Sequence, residues 1–346
     1  MRVVLRLMLI ACVVLLPLTG CQQQPATDPY LQLSGQTMGT TWSVALRSTN
    51  TADAAWIKVG LQERLDGINA LMSTYDPDSE VSRFNVQTST DWFEVSAETF
   101  QVLELAQQIS KLTAGAFDIS VGPLVDLWGF GAQPPDSLPP TPEQIAALVT
   151  TVGYENLQLR HAPPAIRKKN PQLRIDVAAI AKGYAADVLA HYLDQQQIEH
   201  YLIEIGGELK MKGVRSDGHP WRIAIEQPLD HSRKVETIFP LTDIALATSG
   251  NYRNYYEENG QRYVHTIDPV SGKPIQHQLA SATVLDPLAA RADALATALM
   301  VMGEQRGRQF CEEHHIAAYF IIHNNTETTS YSSPAFQALL KQRSSL

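Results

Sequence analysis

Short strand-like segments fill the second half of this sequence, and they restrict the fold more than any other feature. Residues of high β-propensity recur in YLIEIGG, ELKMKGV, WRIAIEQ, IALATSG, YVHTID and ASATVL, with turn residues between these runs. One long helical pattern interrupts them from about Arg291 to His314, and the strand-like IAAYFII follows it. Consecutive strands joined by short turns pair antiparallel, so this half predicts a mainly antiparallel sheet.

Helical patterns dominate the first half, after a strand-like opening from Leu31 to Leu46. Apolar residues at helical spacing, capping residues and closing glycines predict helices at about 52–72, 97–112, 141–153 and 178–195. No stretch has the composition of an interdomain linker. We therefore expect one α+β unit over residues 31–346, a mainly antiparallel sheet with packed helices.

The N-terminal stretch MRVVLRLMLIACVVLLPLTGC predicts a signal peptide over residues 1–20. Its apolar run is too short for a comfortable membrane span, and LTGC resembles the bacterial lipobox. Cys21 is the expected lipidation site, with diacylglycerol on its thiol and an acyl chain such as palmitate on its amine, and residues 21–30 form the tether. We expect a lipoprotein on the periplasmic side of the inner membrane; Gln22 leaves outer-membrane placement open.

Charge and cysteine content narrow the class of protein further. The net charge of -9 and the pI near 5.6 argue against sequence-independent nucleic-acid binding, which needs a basic face. With Cys12 removed and Cys21 lipidated, only Cys311 remains, so no intramolecular disulfide is expected and the core must stabilise the fold. Cys311 lies in the helical pattern QFCEEHH and is predicted to be buried.

Asp293 and Thr297, in RADALATAL, are four residues apart and therefore lie on one face of the predicted helix. A carboxylate and a hydroxyl at this spacing can offer two oxygens to a hard cation such as Mg²⁺, which keeps waters and needs few protein ligands. The alternative is structural: Asp293 interacts with the helix dipole while Thr297 packs.

Asp176 ends the strand-like LRID, and the helix that follows begins with the small residues of DVAAIAKGYAAD. The free N–H groups of a helix N-terminus suit phosphate oxygens, and Lys182 is close enough in sequence to add a positive charge. The alternative is a tightly packed core helix with a solvated lysine.

The stretch VHTIDPVSGKPI places His265 and Asp268 at a predicted turn built on Pro269, Gly272 and Pro274. Asp268 can start this turn by bonding its own backbone. His265 is either a solvated strand residue or a proton acceptor in an active site. The residues alone leave both interpretations open.

Eight segments, in this order, resemble the ApbE family of FAD:protein FMN transferases: TMGTTW, STYDPDSEVSRFN, GAFDISVGPLVDLWGFG, DVAAIAKGYAADVL, IEIGGEL, SGNYRNY, HTIDPVSGKP and ADALATALMVMG. The resemblance runs from about residue 30 to 325. It implies a T-fold-like catalytic unit in which FAD occupies a cleft, with Mg²⁺ on its diphosphate.

Carried over by motif position, the resemblance implies the following contacts. Those with FAD are Met38, Tyr75, Ala116, Phe117, Asp118, Asp176, Lys182 and Ile267. The Mg²⁺ ligands are the backbone carbonyl of Ala179 and the side chains of Asp293 and Thr297. The metal and lysine positions show no departure from the family pattern.

The implied reaction moves FMN from FAD to a Thr or Ser hydroxyl of an acceptor protein and releases AMP. Mg²⁺ and Lys182 would stabilise charge on the diphosphate, and His265 would be the general base. Family acceptors are subunits of the Na⁺-translocating NADH:quinone reductase and of Rnf-type complexes. Three alternatives stay open: a Mg²⁺-dependent FAD pyrophosphatase giving FMN and AMP, a non-enzymatic FAD-binding lipoprotein, and a redox flavoprotein.

Overall fold

The computed structural model describes residues 30–47, 54–131, 139–228, 234–252, 254–324 and 327–343. The predicted signal peptide, Cys21 and nearly all of the tether lie outside these ranges, as does most of the Pro-rich stretch before Thr141. Among the helices of these ranges, none combines the length and apolar character needed to cross a bilayer.

Strands and helices follow one another along the chain as follows. The strands are β1 (Tyr30–Thr37), β2 (Thr40–Arg47), β3 (Phe93–Glu94), β4 (Leu157–Arg160), β5 (Ala165–Lys168), β6 (Tyr201–Ile205), β7 (Glu208–Lys212), β8 (Trp221–Glu226), β9 (Val235–Leu241), β10 (Ile244–Gly250), β11 (Tyr255–Glu258), β12 (Gln261–Val264), β13 (Ile267–Asp268), β14 (Lys273–Pro274), β15 (Leu279–Asp286), β16 (Ala317–Asn324) and β17 (Glu327–Ser332). The helices are α1 (Ala54–Met72), α2 (Glu80–Val86), α3 (Ala97–Leu112), α4 (Gly122–Leu127), α5 (Pro142–Val149), α6 (Ala178–Gln195), α7 (Ala289–Glu313) and α8 (Pro334–Arg343).

The main sheet has the strand order β1-β2-β6-β7-β10-β15-β16-β17 within the described residues. Each neighbouring pair is antiparallel, as the strand-rich second half of the sequence predicts. The fold is therefore α+β, with two elements of the first half, β1 and β2, completing one edge of the sheet.

Both faces of β10 are covered at its start, which explains its continuous apolar run IALA. In β10, Ala245 and Ala247 face a core shared with α1, α3, α6 and α7. The alternate residues Ile244 and Leu246 face a second core, which the β8–β9 hairpin and α8 cover. The cleft described below lies on the side of α6 and α7.

Helices α6 and α7 pack unusually closely because both are rich in alanine and glycine at the contact. A Cβ on Gly183 would collide with the backbone carbonyl of Ala289, so only glycine permits this approach. Asp187 accepts hydrogen bonds from the Ala289 and Ala290 amides at 3.0 Å each and so caps α7. This contact brings the first turns of both helices to the same edge of the cleft.

Several predicted boundaries need correction. YVHTID is not one strand: β12 ends at Val264 and β13 begins at Ile267, so His265 lies in a bend between them. The helix predicted to reach Gly153 ends at Val149, because two turns follow before that glycine. The acidic turn after α1 contains an additional helix, α2, whose N-cap Ser79 accepts a hydrogen bond from the Ser82 amide.

Helix α7 is interrupted at Gly303, where φ is 73° and ψ is -178°. Glycine adopts this conformation far more readily than other residues. The His277 imidazole compensates by donating from Nε2 to the Met300 carbonyl at 2.6 Å. The break separates the segment that carries Asp293 and Thr297 from the remainder of the helix.

Candidate active site

Two adjoining cavities, of about 390 and 600 Å³, form one cleft beside the first turns of α6 and α7. Asp176, Ala178 and Lys182 line both of them. The cleft has two unlike sides. We call Ala179, Lys182, Asp293 and Thr297 the helical wall, and residues 116–121 with 265–269 the loop wall.

Asp293 is the buried anion of the helical wall, with 5% of its surface exposed. Its Oδ2 accepts a hydrogen bond from the Gly183 amide at 3.1 Å, and burial raises its pKa. In a regular helix the Gly183 amide serves the carbonyl of Ala179, four residues earlier. Asp293 therefore competes for the partner of the very carbonyl that the family resemblance assigns to the metal.

Thr297 follows Asp293 by one helical turn, and its Oγ1 lies 3.4 Å from Oγ of Ser249. The carboxylate, the hydroxyl and the Ala179 carbonyl thus offer oxygen atoms along one edge of the cleft. Hard divalent cations such as Mg²⁺ prefer oxygen donors and retain water ligands. This donor set fits such a cation.

The Lys182 ammonium lies within 4 Å of two buried carboxylates. Its Nζ is 3.4 Å from Oε1 of Glu208 and 3.9 Å from Oδ2 of Asp293. Burial alone would lower the pKa of Lys182, but Asp293 and Glu208 outweigh it and raise that pKa. Lys182 is therefore a permanent cation that lines both cavities.

Glu208 is 4% exposed, and burial raises its pKa to about 8 although Lys182 opposes the shift. It begins β7 directly after the Gly206–Gly207 turn, in which φ is 60° and 106°. A Cβ on Gly206 would lie 2.9 Å from Cγ2 of Thr40 and 3.2 Å from Cδ of Lys182, and the φ of 60° favours glycine as well.

His265 of the loop wall is half-buried, and its Nδ1 lies 3.2 Å from the Asn254 carbonyl oxygen. A carbonyl can only accept, so Nδ1 carries the proton of this hydrogen bond and the neutral ring keeps Nε2 as an acceptor. Burial lowers the pKa of His265 below its usual 6.5, Asn254 opposes this, and Lys182 adds to it. At neutral pH the ring is therefore ready to accept a proton.

Asp268 stabilises the turn after His265, which is the structural role that the sequence suggested for it. Its Oδ1 accepts from the Val270 amide at 3.0 Å, and its carbonyl accepts from the Gly272 amide at 2.9 Å. Ile267, one residue earlier, is buried and lines the cleft. Asp268 thus fixes the turn that follows His265.

Aromatic rings support the loop wall from behind. Trp128 stacks on Tyr263 with centroids 5.4 Å apart, Tyr263 stacks on Tyr256 at 5.1 Å, and Phe130 reaches the His265 ring at 6.4 Å. The Trp128 indole also donates to the Gly272 carbonyl at 2.8 Å. Long-range packing of this kind determines where the imidazole sits.

Ala116, Phe117 and Asp118 belong to the first segment of the loop wall, and all three are buried and line the cleft. Asp118 accepts from the Ser120 amide and from the Tyr154 amide, at 2.7 Å each. Burial raises its pKa, while these bonds oppose the shift. Its carboxylate therefore holds the turn in place against the segment at Tyr154.

Met38 and Tyr75 line the other cavity, on the far side of Lys182. Met38 adopts φ 47° in the turn between β1 and β2, which is uncommon for a residue with a side chain. Tyr75 is 73% exposed. A strained residue and an exposed aromatic ring at one cavity are features of binding sites.

All twelve predicted site residues in the described ranges line this cleft, and Cys21 lies outside those ranges. Roles for these residues stay predictions. Sequence reasoning assigned no role to other lining residues, namely Glu208, Thr248, Ser249 and Tyr252. Glu208 lies in IEIGGEL, and Ser249 and Tyr252 lie in SGNYRNY, two segments of the family resemblance, but neither pattern singled out a side chain.

The residues that line the cleft lie within the part of the chain that is similar to known proteins. The sequence profile of the ApbE family matches residues 38–320, which include every cleft residue named above. The chain is 43% identical over 335 residues to the FAD:protein FMN transferase of Vibrio cholerae, covering 96% of this chain and 99% of that protein. It is 40% identical over 341 residues to a protein of the same name from Haemophilus influenzae, covering 97% and 98%.

Solved structures share this architecture. The flavin transferase ApbE from Vibrio cholerae superposes with a TM-score of 0.83 at 42% identity, covering 90% of this chain and 99% of that one. The flavinyl transferase ApbE from Pseudomonas stutzeri, in its apo form, gives a TM-score of 0.83 at 36% identity, covering 90% and 97%. The likeness therefore extends through both walls of the cleft.

Proposed function

This chain belongs to the ApbE family and is a flavin-transferring enzyme, and on that premise we propose that it moves FMN from FAD to a Thr or Ser hydroxyl of an acceptor flavoprotein, releasing AMP. One observation carries the proposal. A cationic and oxygen-rich helical wall faces, across a single cleft, a histidine whose Nε2 is free of its own proton. Phosphoryl transfer to an alcohol needs both elements.

The helical wall stabilises charge on the diphosphate. Asp293, Thr297 and the Ala179 carbonyl would hold Mg²⁺, which when bound neutralises charge on phosphate oxygens. Lys182 supplies a second positive charge that is already in place. Groups that are already in position need no reorganisation during the reaction. Each typically lowers the barrier by about 3–4 kcal/mol.

The loop wall handles the proton. The acceptor hydroxyl oxygen attacks the phosphorus next to riboflavin, and its proton passes to Nε2 of His265. A new P–O bond to the acceptor forms as the P–O bond to the AMP phosphate breaks, so AMP leaves with the bonding electrons. The Asn254 carbonyl holds Nδ1–H and so keeps Nε2 as the basic atom.

Export and anchoring belong to the same proposal. Cleavage before Cys21 and lipidation of its thiol would hold residues 31–346 on the periplasmic side of the inner membrane, with the outer membrane as the other placement. Subunits of the Na⁺-translocating NADH:quinone reductase or of Rnf-type complexes are the acceptors of suitable chemistry. The lipobox-like LTGC supports this part.

The test combines soluble protein starting at Gln22, FAD, Mg²⁺ and an acceptor domain. Intact-mass spectrometry of the acceptor and chromatography of the nucleotides are read on one sample. We expect the acceptor to gain one FMN residue with release of one AMP, and an acceptor with its target threonine changed to alanine to gain nothing. Free FMN and AMP with an unmodified acceptor would make the protein a pyrophosphatase. Intact bound FAD would make it a carrier.

A further inference from the structure

Glu208 is a buried carboxylate of the cleft that the reaction scheme above leaves without a role. One of its oxygens, Oε1, faces Lys182 at 3.4 Å. The other, Oε2, has no hydrogen-bond partner within the described residues, although it is fully buried. A buried, partly unsatisfied carboxylate is costly, so its retention calls for a specific explanation.

Lys182 can compete with a divalent cation for Asp293, and Glu208 can reduce this competition. The lysine ammonium lies 3.9 Å from Oδ2 of Asp293, the carboxylate expected to bind the divalent cation. A lysine free to pair fully with Asp293 would act as an internal competitor of that cation, because both seek the same negative charge. Glu208, whose carboxylate lies closer to the lysine at 3.4 Å, offers the ammonium a second partner and weakens this competition.

We propose that Glu208 is a positioning residue that draws Lys182 away from Asp293, so that the lysine and a divalent cation occupy the cleft together. This inference rests on the proposed function, since it assumes that Asp293 binds the cation. The Gly206–Gly207 turn leaves room for the arrangement, because a Cβ at Gly206 would crowd both Thr40, at 2.9 Å, and the lysine stem, at 3.2 Å. Glu208 thus acts on the cation only through Lys182.

A double-mutant cycle separates this role from direct contact with the cation. Mg²⁺ alone is titrated calorimetrically into the soluble chain without FAD or acceptor, at about pH 9, where Glu208 is mostly ionised because its pKa is about 8. We expect Glu208→Gln to weaken Mg²⁺ binding about tenfold, within the usual range of coupling between sites. We expect Lys182→Met to tighten Mg²⁺ binding, because it removes the competitor.

The decisive comparison is the double variant. If Glu208 acts through Lys182, adding Glu208→Gln to Lys182→Met changes Mg²⁺ affinity by less than about twofold. An equal tenfold loss in both backgrounds would overturn the proposal and make Glu208 a direct or water-mediated ligand. Weaker Mg²⁺ binding by Lys182→Met alone would overturn it as well.

Two further variants control for folding and for net charge. Glu204→Gln makes the same charge change four residues away, on the exposed face of β6, and should leave Mg²⁺ affinity unchanged. Glu208→Asp keeps the carboxylate and should recover part of the affinity lost by Glu208→Gln. Because no FAD or acceptor is present, failure of FMN transfer would refute the proposed function without altering this titration.

Discussion

The two walls of the cleft are built in different ways. In the helical wall, the spacing of Asp293 and Thr297 is one helical turn, and Lys182 follows Ala179 within the first turn and a half of α6. In the loop wall, His265 lies in a bend between two short strands. It is positioned by the ring of Phe130, which is distant in sequence, and by the Asn254 carbonyl. One wall is set by helix geometry, and the other is set by packing between segments far apart in sequence.

This difference predicts how each wall responds to change. A helix fixes its side chains relative to one another. The geometry of the helical wall therefore depends on how α6 and α7 are positioned as rigid units. The loop wall depends on many small contacts, none of which is decisive alone. Mutations of reactive groups should therefore be severe in both walls, and mutations of supporting groups should be severe only where the helices meet.

Asp293→Asn should have the largest effect, reducing FMN transfer by more than about 10³-fold, since it removes the only charged donor assigned to the metal. The introduced amide is isosteric with the carboxylate, and its oxygen can still accept from the Gly183 amide, so the thermal midpoint should change little. Single-turnover transfer and Mg²⁺ titration measure the two consequences. Transfer at more than a tenth of the wild-type rate would show that the helical wall does not hold the metal through this residue.

His265→Gln should come next, with transfer reduced by about 10²–10⁴-fold through loss of the general base. Because burial lowers the pKa of His265 below 6.5, wild-type kcat/KM measured at saturating Mg²⁺ should fall in acid as Nε2 is protonated, and His265 should cause no change at neutral pH. The variant should lack this acidic limb while binding Mg²⁺ normally. A limb that persists in His265→Gln would assign the base to another group.

The same contrast explains how much the sequence could reveal. Helices α3 and α6 agree with their predicted ranges, and the (i, i+4) spacing of Asp293 and Thr297 placed both in the cleft, because helix periodicity is a local property. The split of YVHTID could not be predicted, because the bend at His265 depends on the Asn254 carbonyl eleven residues away. Glu208 was missed since its environment depends on Lys182, which lies on another element.

Gly183→Ala tests whether the helical wall moves as a body. The added methyl would collide with the Ala289 carbonyl, so α6 and α7 must separate, at a cost of about 1–3 kcal/mol in the free energy of unfolding. Displacement of Asp293 from Lys182 should also weaken Mg²⁺ binding and reduce transfer by about tenfold to a hundredfold.

Gly67→Ala is the matched control for that variant. Gly67 is an exposed position of α1, and nothing lies within 4 Å of a Cβ added there. Alanine should stabilise the helix by about 0.5–1 kcal/mol and leave transfer unchanged. Denaturant unfolding of both variants gives the comparison. If Gly183→Ala behaves like Gly67→Ala, the close approach of the helices is not required.

Trp128→Phe should have the smallest effect, because it removes one of several supports of the loop wall. The variant loses the hydrogen bond from the indole to the Gly272 carbonyl, worth about 1 kcal/mol of stability, and keeps an aromatic ring beside Tyr263. Transfer should fall by only about twofold to fivefold, the change appearing in kcat because the imidazole is less well positioned. Tyr263→Phe keeps the stack and loses only an exposed hydroxyl contact, so it should match the wild type. A loss from Trp128→Phe as large as that from Gly183→Ala would mean that the loop wall, too, moves as one body.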